Sequence, residues 1–162
     1  MKIKLIFLLL GILIIPIAII ASYTGGTSTR NSEAVFDDVE GKEWHLSEVK
    51  SALTTITLDR KSTNAYDLSG IYSITFAEGR VSGMGAPNRY FGPYTLGENK
   101  ALTMGAIGST RMAAFGEPDT LKEHEYFHYL WNVTRWDLRN GKLELYSTDE
   151  NGIEAILVFD RF

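Results

Sequence analysis

The 162-residue chain is predicted to be mainly β, of the α+β class: an antiparallel sheet with one α-helix, preceded by an N-terminal transmembrane or signal helix. Three observations predict it. Residues 5–22 form one uncharged apolar run, most of the remaining chain alternates apolar and polar residues with period two, and a single stretch near residues 121–131 carries helical apolar spacing.

The apolar run reads LIFLLLGILIIPIAIIAS and follows Lys2 and Lys4. Its 18 residues reach the minimum for spanning a bilayer and exceed the usual apolar core of a signal peptide. Ile19 and Ile20 also make a poor cleavage site ahead of Ala21 or Ser22, so an uncleaved anchor is favoured over a cleaved signal. With Lys2 and Lys4 retained inside, the rest of the chain lies on the extracytoplasmic side of the membrane, or is secreted to the periplasm if the signal is cleaved. The domain boundaries are therefore 1–22 for the anchor, 23–34 (YTGGTSTRNSEA) for a flexible linker and 35–162 for the folded domain.

Composition excludes several classes of function. There is no cysteine, hence no disulfide, lipid-modified cysteine or thiolate metal site. With Lys2 and Lys4 set aside, 14 of the 16 basic residues remain against 20 acidic ones, a formal charge of −6 on the exported part. Nucleic acid and anionic lipid surfaces are poor partners for it.

Within the domain, Trp44 and Leu46, then Leu53, Ile56 and Leu58, predict early strands. Tyr72, Ile74 and Phe76 alternate with Ser73 and Thr75, and residues 59–70 between them read as an exposed loop. In the last third, VTRWDL ends at Asn140-Gly141, KLELYS ends in the turn residues 149–152, and IEAILVF closes the chain, which predicts an antiparallel meander. The helix is read as starting near Pro118, with Glu117 or Asp119 in its first turn. Leu121, Phe127, Leu130 and Trp131 form its inward stripe, and Lys122, Glu123, His124 and Glu125 its solvated face.

That helix spells HEYFH, so His124, Glu125 and His128 have the HExxH spacing in which two imidazoles ligate zinc and the glutamate acts as general base. The extended form of the motif needs Gly and His where this chain has Trp131 and Thr134. A third ligand would have to come from Glu144, Glu150 or Glu154, all on predicted strands or turns, and Glu123 puts a charge just before the motif. The reading preferred is a surface helix with no metal, no cofactor and no catalytic residue; a zinc-dependent peptidase using His124, Glu125 and His128 is the alternative.

The segment RVSGMGAPNRYFGPYTLGENKALTMGAIGSTRMAAF spans residues 80–115. Gly83, Gly85 and Gly92 mark positions of positive φ or close backbone approach, and GMGAPN lacks the final glycine of a nucleotide fingerprint. Asn88, Arg89, Thr110 and Arg111 form a polar cluster, either an internal hydrogen-bond network or a ligand contact, the network being preferred. Tyr90, Phe91, Tyr94, Trp131 and Trp136 are expected in the core, a binding patch being the less favoured reading. Asn-Arg-Tyr, Ser-Thr-Arg-Met-Ala, the early Trp44-His45-Leu46 and the helix KEHEYFHYL occur in the order found in the META domain, the family of the HslJ-type heat-shock proteins, which residues 41–162 resemble.

The resemblance implies a barrel-like antiparallel sheet packed on one helix, in an envelope-associated accessory protein linked to stress, with no established catalytic residue. Glu123, Tyr126, Phe127 and Leu130 match the family's helix, which leaves the two histidines at variable positions. Many members have cysteines where this chain has Pro87 and Ala114, so any disulfide of the family is lost here. The function expected is a non-enzymatic envelope domain that binds a protein or an apolar ligand, with the membrane as partner through the N-terminal helix.

Overall fold

The computed structural model describes residues 35–58, 70–112 and 118–161. The apolar run, the linker, residues 59–69 of the expected loop, Ala114 and Glu117 lie outside the described residues. Among the described residues no helix is long and apolar enough to cross a membrane. Residues Glu33–Phe162 form one compact unit.

Ten strands make one antiparallel sheet: β1 (Glu43–Ser51), β2 (Thr55–Thr57), β3 (Ser73–Ala77), β4 (Arg80–Met84), β5 (Arg89–Leu96), β6 (Leu102–Met104), β7 (Gly108–Ser109), β8 (Arg135–Arg139), β9 (Lys142–Thr148) and β10 (Glu154–Arg161). Their order is β6-β5-β4-β3-β1-β10-β9-β8, with β2 on β1 and β7 on β5. The two ends of that order meet. Ala101 bridges Arg135, and the Leu102 N–H donates to the Thr134 carbonyl at 3.1 Å, so the sheet is a nearly closed barrel. Closure hides edge groups that would otherwise recruit another chain.

Two-residue turns set the hairpins. Asn140 and Gly141 between β8 and β9, and Glu78 and Gly79 between β3 and β4, all have positive φ, the twist that matches right-handed strands. The predicted meander of β8, β9 and β10 is present with continuous register.

Inward residues fill the interior. Trp44, Tyr72, Phe76, Tyr90, Tyr126 and Phe159 are fully buried. At one end Phe36, in the 3-10 turn Phe36–Asp38, packs on Phe76, Tyr94 and Trp136 at ring separations of 5.3, 5.5 and 5.0 Å. The helix α1 (Glu123–Trp131) covers the other end with Tyr126, Phe127 and Leu130.

Four local expectations are corrected. Leu53 is 77% exposed in the turn after β1, where the Ser51 hydroxyl accepts the N–H groups of Leu53 and Thr54. The helix starts at Glu123, not near Pro118, and the arc facing the core is centred on Tyr126, Phe127 and Leu130. Trp131, about 100° past Leu130 on the helix, falls at its margin and is 52% exposed. Phe91 is also 52% exposed, because its neighbours Tyr90 and Gly92 face inward and alternation turns Phe91 outward.

The closing seam is tied by charge. Lys100 Nζ and Arg139 Nε each approach the buried Asp137 carboxylate at 2.7 Å, and the Leu138 N–H donates to it at 2.9 Å. Burial alone would raise the Asp137 carboxyl, but the hydrogen bonds from Lys100, Arg139 and Leu138 and the Lys100 charge outweigh it and lower it to about 2. Because the folded value is depressed, its contribution is present above the ordinary carboxylate value and is lost as pH falls from about 4 through 2. Acid unfolding followed by circular dichroism is expected to steepen in that window. The step should shrink by about 2 kcal/mol in Asp137→Asn relative to the parent.

Candidate functional site

The polar cluster of the sequence gathers around a residue outside it. Glu123, at the first turn of α1, turns its carboxylate into the loop 85–88, which includes the cis Ala86-Pro87 peptide. Its Oε1 accepts the N–H groups of Ala86 at 2.6 Å and Asn88 at 2.7 Å, and its Oε2 accepts the Asn88 amide at 2.6 Å. The buried Asn88 then uses its Oδ1 to accept the Thr110 hydroxyl at 2.9 Å and the Met112 N–H at 2.7 Å. Thr110 completes the chain by accepting the Arg89 N–H at 3.1 Å.

Asn88 and Thr110 are thus brought together, whereas Arg89 joins through its backbone and the side chains of Arg89 and Arg111 stay exposed. The solvated position expected for Glu123 is corrected: its carboxylate accepts from three donors, of which the Asn88 amide also reaches the Met112 carbonyl at 3.4 Å. Such charge-assisted bonds are short and strong. Gly85 makes room for it, since a Cβ there would strike Glu123 Oε1 and stand 2.9 Å from Phe127 Cζ. Gly83, Gly85 and Gly92 all serve close approach, and none has positive φ.

Beside this centre lies a buried tyrosine pair. The Tyr90 hydroxyl donates to the Ser73 carbonyl at 2.8 Å and stands 3.1 Å from the Tyr126 hydroxyl. Burial, then the adjacent Tyr126, hold the Tyr90 phenol well above its ordinary range, so it is no phenolate base near neutral pH.

The histidines of HEYFH sit elsewhere on α1. His124 is exposed, and half-buried His128 has its Nε2 3.2 Å from the Asn132 amide. Glu125, the general base of the zinc reading, accepts the Lys122 N–H at 2.6 Å and so closes the helix N-terminus. Glu144 accepts the Tyr146 hydroxyl at 2.7 Å on β9, Glu154 opens β10, and Glu150 lines a hollow of about 120 Å³ with Glu125 and His128. Among the described residues no three His, Asp or Glu side chains are placed to hold one metal ion.

Two larger hollows open on the outer face of the barrel. One, of about 580 Å³, lies over β1, β10, β9 and β8. Its cations are engaged within the protein: the Arg135 guanidinium lies 3.5 Å from the Tyr146 ring centroid, and Lys50 pairs with Glu48 at 2.7 Å. The other, of about 480 Å³, crosses β1, β3, β4 and β5, and Phe91 and Arg89 form its far wall. Its floor residues follow from register and could be recognised only once the strands β4 and β5 were aligned.

A family model and one solved structure agree with this architecture. The family model of the META domain matches residues 37–157. An NMR structure of a protein from Burkholderia xenovorans superposes with a TM-score of 0.56 at 26% identity, covering 82% of this chain and 96% of that one. A crystal structure of a duf4847 family protein from Bacteroides vulgatus gives a TM-score of 0.49 at 16% identity, covering 78% and 96%. No curated protein matches the chain.

Proposed function

Since the chain belongs to the META domain family, we propose that it is a non-enzymatic binding or accessory domain of the cell envelope, active in envelope stress and held outside the cytoplasmic membrane by residues 5–22. The observation that carries this reading is the state of its polar residues. Glu123, Asn88 and Thr110 direct their bonds at the protein's own backbone and at one another, and Glu125 caps a helix. A catalytic group needs an open partner position for substrate. The described interior residues are packed aromatic and aliphatic side chains, and the outer surface of the barrel is where this reading places a protein or apolar partner.

Topology and metal content test the two halves of this reading. In spheroplasts of a bacterial host making the full chain, added protease is expected to remove the domain while a cytoplasmic marker survives. Protection of the domain would overturn the extracytoplasmic assignment. The purified full chain is expected to hold no stoichiometric zinc by elemental analysis, and His128→Ala to leave its melting temperature and metal content unchanged. Equimolar zinc lost in His128→Ala, with peptide hydrolysis lost alongside it, would establish the peptidase instead.

A further inference from the structure

We propose that the trench across β1, β3, β4 and β5 is a binding site for an anionic sugar, a pyranose unit bearing a carboxylate or phosphate. The proposal rests on the binding-domain reading and gives it a ligand class. Cross-strand register places Glu43, Thr75, Ser82 and Phe91 in one row, since Glu43 opposes Thr75, Thr75 opposes Ser82, and Ser82 opposes Phe91. Directly opposed residues share a face. The row therefore runs carboxylate, hydroxyl, hydroxyl, aromatic ring over three strand spacings, about 14 Å.

The chemistry at each point suits a sugar. Phe91 offers a half-exposed ring to the apolar C–H face of a pyranose. Neither the Thr75 nor the Ser82 hydroxyl has a hydrogen-bond partner among the described residues, and both remain available to sugar hydroxyls. The Arg80 guanidinium stands 5.9 Å from the Phe91 ring centroid, and Arg89 lies two residues before Phe91 on the same face of β5. Among the described residues no carboxylate lies within 4.0 Å of either guanidinium. On a domain that is acidic overall, two such arginines beside an aromatic ring form a local cationic site matched to a carboxylate or phosphate, which a guanidinium grips with two parallel hydrogen bonds.

The polar centre fixes this geometry. Thr110 accepts the Arg89 N–H and its own N–H donates to the Arg89 carbonyl at 3.0 Å, so the backbone that presents Arg89 and Phe91 is held from behind. An extended acidic peptide is the competing occupant, and the sheet argues against it. β3 and β4 are hydrogen-bonded on both sides, and β5 pairs with β4 and with β6 and β7, so this face has no open edge to give a peptide its main-chain bonds.

The test uses the full chain in detergent micelles, with trigalacturonate as probe, maltotriose as the neutral sugar and hexaglutamate as the acidic peptide. Saturation-transfer difference NMR reads contact and calorimetry reads affinity. Trigalacturonate is expected to bind at least about tenfold more tightly than maltotriose, the worth of one charge-assisted bidentate pair. Arg89→Gln should remove that preference, and Phe91→Ala should abolish transfer to the ring protons, while both variants keep the parent's melting temperature. Glucose 6-phosphate competing as well as galacturonate would identify the anion, rather than the carboxylate, as the recognised group and support the site. Hexaglutamate binding as tightly as trigalacturonate and unaffected by Phe91→Ala would overturn the proposal in favour of an acidic peptide. No transfer from trigalacturonate at millimolar concentration would also overturn it, leaving topology and metal content to judge the binding-domain reading separately.

Discussion

Replacing Glu123 by alanine is expected to lower the stability of the domain by about 3–5 kcal/mol, a drop of about 10–20 °C in melting temperature. The change deletes one carboxylate but strands two donors, the N–H groups of Ala86 and Asn88, in a half-buried site and leaves the Asn88 amide with only its long bond to the Met112 carbonyl at 3.4 Å. It also frees the first turn of α1 from the loop 85–88, so the helix loses its register over one end of the barrel. Glu123→Gln is expected to cost less, because one amide oxygen still accepts, while its NH₂ faces donors. Thermal melts of the three proteins check the order, and an alanine variant within about 1 kcal/mol of the parent would be the ordinary result for a solvated side chain.

Gly83→Ala carries the second large effect. A Cβ at this position would strike the Ser73 carbonyl and stand 2.7 Å from the Tyr90 hydroxyl. The carbonyl belongs to the paired strand β3 and already accepts from Tyr90, so neither neighbour yields without breaking a bond. A loss of about 3 kcal/mol is expected, read as a shift in urea midpoint at unchanged slope. Gly108→Ala on β7 is the contrast. Its nearest atoms are 3.6 Å away on Phe91, ordinary van der Waals contact, and its stability should stay within about 1 kcal/mol of the parent.

The meander of β8, β9 and β10 was legible because Asn140-Gly141 can only be a tight turn and the flanking runs alternate strictly. The order of motifs from Trp44 to the helix was equally legible as a family pattern. Glu123 was not, for a physical reason. A charged residue at a helix start has the usual signature of solvent exposure, and most of its partners are backbone N–H groups 35–37 residues away, which leave no mark in a sequence. The faint signal was Gly85, a missing Cβ beside Pro87 and Asn88. The trench was hidden similarly: Gly83 and Gly92 blur the period of β4 and β5, and without register Phe91 reads as another core aromatic.

Whether the polar residues of this domain hold its fold rather than perform chemistry is tested most directly by a double-mutant cycle. Asn88→Ala, Glu123→Ala and the pair would be unfolded in urea beside the parent. Two residues joined by direct hydrogen bonds should show a coupling of about 1.5–3 kcal/mol, the double variant losing much less than the two single losses combined. Losses that simply add, with a coupling near zero, would mean that Glu123 and Asn88 do not support each other and would contradict the account.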